Sequence, residues 1–237
     1  MPEHTLWQSL LETLFPTPAM CAVCEAPLPA LSVCPECLER IRRFAENEGQ
    51  CRRCGSFGVR AQTCDVCREW PSYYAGNTAL AHYEGHLREA LLRIKFHNEP
   101  WRVAGFAALI AQSELPSADV VVPVPLHPRR MRDRGFNQSA LLAALIADEL
   151  AIPVEERLLR RVVDTPHQTQ LTLSERRANV VKAFAVDESL SRRWQGARVL
   201  VVDDILTTGA TLLNTVRALH AAGFDRICSV TLAAGMS

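Results

Sequence analysis

The sequence has no excess of charge, no long apolar run and no basic leader segment. Its 237 residues contain 26 Lys and Arg against 26 Asp and Glu, a balance that argues against a strongly basic nucleic-acid binder or a membrane-surface protein. No stretch reaches the roughly 18 uninterrupted apolar residues of a membrane span. The first 15 residues carry acidic side chains and leucines at helical spacing, which predict a short amphipathic helix rather than a secretory signal. We therefore expect a cytoplasmic protein without membrane insertion.

Cysteine is almost absent outside one short region, since eight of the nine cysteines lie between residues 21 and 67. In a reducing cytosol such a cluster indicates metal binding rather than disulfides. The pattern C-x2-C-x9-C-x2-C occurs twice, with the second copy 30 residues after the first. Two closely spaced cysteine pairs supply the tetrahedral four-sulfur shell that suits zinc, and a small module gains folding energy from the metal. The predicted ligands are Cys21, Cys24, Cys34, Cys37, Cys51, Cys54, Cys64 and Cys67.

These cysteines predict two structural zinc ions, with one degenerate site or a redox role as the alternatives. A closed four-cysteine site leaves no open coordination position, so we assign the zinc no catalytic role. The spacing leaves open whether the ions bind in series, one per repeat, or in a crossed arrangement. The ninth cysteine, Cys228, lies in an apolar segment and is expected to be a small buried side chain.

The composition changes after Trp70 and Pro71, where the cysteines stop and longer apolar patterns begin. We predict an N-terminal helix and double zinc-ribbon module over residues 1–70, and a second domain over residues 71–237. In the second domain, apolar strand-like runs alternate with segments of helical periodicity. This alternation predicts an α/β fold with a parallel sheet flanked by helices, whose ligands bind at the carboxyl ends of the strands.

The segment VLVVDDILTTGAT, residues 199–211, carries the strongest functional signal. Four apolar residues lead into Asp203 and Asp204, and a threonine turn that contains glycine then opens a helix. Successive backbone N–H groups, hydroxyls and the positive end of a helix dipole suit a phosphate, while the carboxylates suit vicinal hydroxyls or Mg²⁺ that holds them. A capped core helix would explain the threonines but would leave both aspartates unused. The candidate phosphate-binding residues are Thr207, Thr208, Gly209, Ala210 and Thr211.

This segment resembles the motif of type I phosphoribosyltransferases that binds phosphoribosyl pyrophosphate (PRPP). The resemblance implies that Asp203 and Asp204 are catalytic and contact the ribose 2′ and 3′ hydroxyls, and that residues 207–211 hold the 5′-phosphate. It also implies that Mg²⁺ bridges the ribose hydroxyls and the pyrophosphate.

Two further segments indicate which family of phosphoribosyltransferase-like proteins the chain resembles. One is rich in arginine and lies between a strand end and a helix start, where we expect a loop that binds pyrophosphate, with Lys95 as a further candidate. Its candidate residues are Arg129, Arg130, Arg132 and Arg134. The polar segment 164–184 is expected to be a mobile loop that closes over a ligand. Its candidate residues are Thr165, Gln168, Arg176 and Arg177. With the paired cysteine repeats and the sequence RGFNQ, these segments resemble the ComF family over nearly the whole chain.

The family resemblance implies a PRPP-binding protein linked to DNA uptake and utilisation. We expect it to transfer phosphoribose from PRPP to a nucleobase or amine, with release of pyrophosphate. Two alternatives stay open, namely a non-catalytic PRPP or nucleotide sensor that acts through a DNA-uptake protein partner, and a protein that handles single-stranded DNA. The neutral overall charge counts against the last of these. No set of side chains in the sequence identifies the acceptor.

Overall fold

A four-stranded parallel sheet forms the centre of the molecule. The computed structural model describes residues 18–163 and 183–236. The strands are β1 (Tyr74–His82), β2 (Val120–Pro123), β3 (Leu159–Arg161), β4 (Phe184–Val186), β5 (Val199–Leu206) and β6 (Ile227–Ala234). The central sheet has the strand order β1-β6-β5-β2, and β3 and β4 form a separate antiparallel pair. The helix predicted in the first 15 residues lies outside the described residues. The same is true of the residues predicted for the closing loop, which are Thr165, Gln168, Arg176 and Arg177.

Helices cover both faces of the sheet, as the predicted α/β fold requires. A seven-residue 3₁₀-helix, Pro100–Phe106, precedes the third α-helix. The α-helices are α1 (Pro35–Glu48), α2 (Gly85–Phe96), α3 (Ala107–Ala111), α4 (Pro128–Arg134), α5 (Gln138–Leu150), α6 (Glu188–Arg193) and α7 (Ala210–Ala221). The predicted fold class is therefore confirmed.

Strand β5 shows how the sheet divides the core into two halves. Leu200 and Val202 pack on one face against α2 and α5, whereas Val199 and Val201 pack on the other face against α7. All four side chains are fully buried. Successive residues of a strand point to opposite faces, so a strand covered on both sides has a continuous apolar sequence instead of an alternating one.

The cysteine-rich segment covers the sheet at its β1 edge. The first four cysteines pack on the α2–α5 face, and the second four pack on the α7 face. The backbone N–H of Asn77 donates to the Arg53 carbonyl at 2.8 Å, and the Gln50 side chain donates to the Ala79 carbonyl at 2.9 Å. Backbone groups that an edge strand would leave unpaired therefore find partners in the cysteine-rich segment.

Three elements differ from the sequence-based expectations. Strand β1 was not predicted, because polar residues and Gly76 interrupt its apolar pattern. Strand β5 continues past the aspartates to Leu206, where it still pairs with β6. The arginine-rich segment is a helix, α4, and the expectation of a loop is wrong. At the start of α4, the His127 side chain accepts from the Arg129 N–H at 3.3 Å. Gly135, with φ 80°, ends the helix.

Candidate functional site

Asp203 and Asp204 are buried near the carboxyl end of β5, at 8% and 7% exposure. Two donors contact the Asp203 carboxylate oxygen Oδ1, namely the Ser139 hydroxyl and the backbone N–H of Asp204, each at 2.9 Å. Burial and the neighbouring charge of Asp204 raise the pKa of Asp203 to about 7. Burial and the second carboxylate therefore favour the neutral form of Asp203 more than in an exposed aspartate.

Asp204 is contacted from two helices on one face of the sheet. Lys95 Nζ of α2 lies 2.8 Å from Asp204 Oδ2, and Gln138 Nε2 of α5 donates to the same oxygen at 2.8 Å. Arg134, at the end of α4, donates to Gln138 Oε1 at 2.5 Å. A chain of polar contacts therefore connects the arginine-rich segment with the acidic doublet.

The threonine turn after β5 is open to solvent. Thr207, Thr208 and Ala210 are exposed, whereas Gly209 is buried and has φ 74°. Within the described residues, no side-chain hydrogen bond caps the start of α7 at Gly209, although the Ala210 N–H lies 3.5 Å from Thr208 Oγ1. Accessible backbone N–H groups at the positive end of a helix are suited to bind an oxyanion.

The four arginines of α4 have different surroundings. Arg129 and Arg132 are exposed, whereas Arg130 and Arg134 are half-buried. Burial lowers the pKa of the Arg134 guanidinium, and Arg134 also stacks on the ring of the exposed Phe96, with 6.0 Å from Cζ to the ring centroid. Arg134 is hydrogen-bonded to Gln138, which in turn donates to Asp204, so this arginine is connected with the acidic doublet.

The cysteines form two clusters in series, one per repeat, so the question that the spacing left open is answered. In each cluster the four Sγ atoms lie within 4.8 Å of one another. Sulfurs about 2.3 Å from a central zinc ion in a tetrahedron lie about 3.8 Å apart. The Cys24–Cys34 Sγ distance is 3.7 Å and the Cys51–Cys67 Sγ distance is 3.6 Å. Both clusters therefore fit a zinc ion.

Backbone donors favour the thiolate form at the start of the first cluster. The N–H groups of Val23, Cys24 and Cys34 point at Cys21 Sγ, at 3.4, 3.5 and 3.3 Å. Burial alone raises the pKa of Cys21, but these donors outweigh it and lower the pKa to about 7. Such N–H···S contacts are expected around a ligand that is a thiolate when the metal is bound.

Residues 137–237 match the family model of the phosphoribosyl transferase domain. The chain is 31% identical to Competence protein F of Haemophilus influenzae over 206 residues, which cover 82% of this chain and 87% of that protein. The chain belongs to the ComF family. Another family relative is DNA utilization protein YhgH of Salmonella typhi, to which the chain is 30% identical over 214 residues, covering 85% of the chain and 91% of that protein.

Among solved structures, this ComF chain is similar to the glutamine PRPP amidotransferase of B. subtilis, at 23% identity and a TM-score of 0.38. That match covers 54% of the chain and 25% of the amidotransferase.

In residues 18–163 and 183–236, no helix is long and apolar enough to cross a membrane.

Gln138 and Ser139 contact the two aspartates directly and were not predicted as site residues. Both residues are buried in the first turn of α5, at 7% and 1% exposure. Their signal in the sequence was the polar pair at the start of an otherwise apolar helix, directly after the arginine-rich segment. A buried polar pair needs hydrogen-bond partners, and here the acidic doublet supplies them.

Proposed function

We propose that this ComF protein binds PRPP with Mg²⁺ and transfers its phosphoribosyl group to a nitrogen acceptor. The observation that carries the proposal is the buried acidic doublet of β5, followed within three residues by an exposed turn at the start of α7. An oxyanion site and a diol site lie at neighbouring positions, as a sugar phosphate requires. The matches to the phosphoribosyl transferase domain and to the competence and DNA-utilisation proteins support the same conclusion.

Each part of the site then has a role in holding PRPP. The turn of residues 207–211 holds the 5′-phosphate, and the carboxylates of Asp203 and Asp204 bind the ribose 2′ and 3′ hydroxyls. The arginines of α4 bind the pyrophosphate. Asp203 and Asp204 would hold Mg²⁺ together with the diol, and the ion would supply positive charge to the site. The segment with Thr165, Gln168, Arg176 and Arg177 is proposed, from the family resemblance, to close over the bound substrate.

Lys95 holds Asp204 before the substrate arrives and has to release it when the diol and its metal ion bind. The Lys95 ammonium and the Gln138 amide occupy the same carboxylate oxygen at 2.8 Å each, a position that the ligand needs. Lys95 is then free to contact the pyrophosphate, which carries most of the negative charge of PRPP. The ion pair therefore offsets the charge of Asp204 before PRPP binds, and Lys95 supplies a cation to the occupied site.

The reaction breaks the bond between ribose C1 and the pyrophosphate oxygen, and the bonding electron pair leaves on that oxygen. The lone pair of the acceptor nitrogen forms a new bond to C1, and the acceptor then loses one proton to solvent. Positive charge develops on the sugar during the displacement, as in glycoside hydrolysis. The guanidinium groups of α4 stabilise the negative charge that accumulates on the leaving pyrophosphate.

The test compares the wild-type protein with the double variant Asp203→Asn, Asp204→Asn by calorimetric titration with PRPP and Mg²⁺. We expect wild-type binding and no measurable binding by the variant, because the amides lack the charge that Mg²⁺ and the diol need. Asp148→Asn is the matched control, since Asp148 is an exposed carboxylate on α5. Equal affinity in the double variant and the wild type would contradict the diol assignment.

A panel of nucleobases and amines then tests for transfer by measuring the release of pyrophosphate. Release that depends on both Mg²⁺ and one acceptor supports an enzyme and identifies the acceptor class. Tight PRPP binding with no release across the panel supports the non-catalytic sensor instead.

A further inference from the structure

The turn proposed to hold phosphate lies directly on two side chains of the cysteine-rich segment. A Cβ atom placed on Gly209 would lie 2.9 Å from Trp70 Cζ2 and 3.3 Å from Val66 Cγ1. Trp70 is 5% exposed, so its indole is covered on nearly every side. The backbone of the turn therefore approaches the ring so closely that no side chain fits between them.

Trp70 is held in place by residues next to the ligands of the second cysteine cluster. Its backbone N–H donates to the Cys67 carbonyl at 3.0 Å. Its own carbonyl accepts from Arg53 Nη2 at 2.8 Å, and Arg53 precedes the ligand Cys54. The indole packs against Tyr74 of β1 with 4.7 Å between the ring centroids. Three independent contacts therefore fix the tryptophan, and two of them come from the second cluster.

The first cluster has its close contact on the other face of the sheet. A Cβ atom on Gly105 of the 3₁₀-helix would lie 2.5 Å from Ala22 Cβ and 3.2 Å from Leu31 Cγ, both within the first repeat. The two repeats therefore contact glycines on opposite faces of the sheet. The first repeat contacts Gly105, and the second contacts Gly209 in the turn after β5.

We propose that Trp70 is a positioning residue for PRPP, which transmits the order of the second metal cluster to the turn of residues 207–211. A phosphate-binding turn needs its N–H groups fixed in direction before the ligand arrives, because ordering them on binding costs affinity. The indole fixes the turn at Gly209, the residue from which α7 begins. This inference rests on the proposed function, since it assigns Trp70 to the same site.

The test uses four full-length, zinc-loaded forms of the protein, namely the wild type, Trp70→Ala, Trp70→Phe and Trp101→Ala. Trp101 is the matched control because it is a half-buried tryptophan next to Arg102, which donates to the Ala22 carbonyl beside the first cluster. Three quantities are measured for each form. They are hydrogen exchange of amides 207–213 without ligand, Kd for PRPP with Mg²⁺, and zinc per chain.

We expect Trp70→Ala to raise the exchange of amides 207–213 and to weaken PRPP binding by about tenfold, because the turn loses its support. Trp70→Phe retains a ring and should show a smaller change of both quantities. Trp101→Ala should leave both at wild-type values, and zinc should stay at the wild-type number in the folded forms.

Wild-type exchange and Kd in Trp70→Ala would overturn the inference. If Trp70→Ala does not fold, Trp70→Phe decides: faster exchange of amides 207–213 with zinc retained supports the role, and unchanged exchange overturns it. A wild type that binds no PRPP would contradict the proposed function, whereas the exchange data would still test the support of the turn by Trp70.

Discussion

The two cysteine clusters have the same spacing but different surroundings. The first packs on the apolar core and has one buried charge network beside it, in which Arg102, 2% exposed, pairs with Glu25 and Glu99 and donates to the Ala22 carbonyl. The second is surrounded by the aromatic rings and backbone of β1, and it lies below the turn proposed to hold phosphate. A duplicated ligand pattern therefore fixes the local sulfur geometry twice, whereas the residues between and beside the ligands decide what each cluster supports.

The largest expected effect comes from removing one ligand of each cluster at equivalent positions of the repeat, with Cys37→Ser and Cys67→Ser. Each variant should lose one zinc ion per chain and about 5 kcal/mol of unfolding free energy, because metal binding contributes directly to folding. The expected fall in Tm is roughly 15 °C. Metal analysis and differential scanning calorimetry measure these quantities.

The same pair of variants tests the comparison itself through hydrogen exchange. Cys67→Ser should accelerate exchange at amides 207–213 more than Cys37→Ser does, because loss of the metal ligand loosens the backbone whose Cys67 carbonyl accepts from the Trp70 N–H. Equal acceleration in both variants would show that the clusters are interchangeable supports.

A medium effect is expected at the ion pairs beside the first cluster. Arg102→Met removes the buried partner of Glu25 and Glu99, which keep only the longer contacts to the more exposed Arg93 at 3.5 and 3.6 Å among the described residues. The loss should be about 2 kcal/mol of unfolding free energy, because the carboxylates are paired less closely and a buried backbone carbonyl loses its donor. Chemical denaturation measures the change. Arg198→Met, which breaks the exposed pair with Asp119, is the matched control and should change stability by less than about 1 kcal/mol.

The smallest effect is expected from one added methyl group at each close contact. Gly105→Ala and Gly209→Ala should each cost about 1–2 kcal/mol, the first through overlap with Ala22 and the second through overlap with Trp70 and an unfavourable positive φ. Gly209→Ala should in addition weaken PRPP binding, whereas Gly105→Ala should not. Equal losses of PRPP affinity in the two variants would contradict the expectation that only the cysteine cluster on the α7 face supports the PRPP site.

The sequence was informative where one chemical requirement dominates a segment. Paired cysteines at fixed spacing predicted both clusters, and the apolar run before Asp203 predicted β5 with its helix and turn. Strand β1 was missed because its burial comes from the cysteine-rich segment and from β6, which are distant in sequence. The helix at the arginines was missed because it has no apolar face, although His127 and Pro128 provide a start signal.

The contacts within the candidate site were the least predictable part. Gln138 and Lys95 lie on different helices, and only the tertiary fold brings them to one carboxylate oxygen. The same holds for Trp70 and Gly209, which no local pattern connects. Sequence patterns report the chemistry of a segment, whereas long-range neighbours depend on how the elements pack.

Strand β1 is synthesised long before β6, the strand with which it pairs. Asn77 and Thr231, which share a hydrogen bond between the two strands, are 154 positions apart. At about 5–20 residues per second, β1 leaves the ribosome roughly 8–30 s before its partner strand. During that interval the nascent chain exposes an edge of β1, and the cysteine repeats, which precede β1 in the chain, emerge early enough to cover its other edge. With zinc in both clusters, the yield of folded protein is expected to depend on the zinc supply during translation.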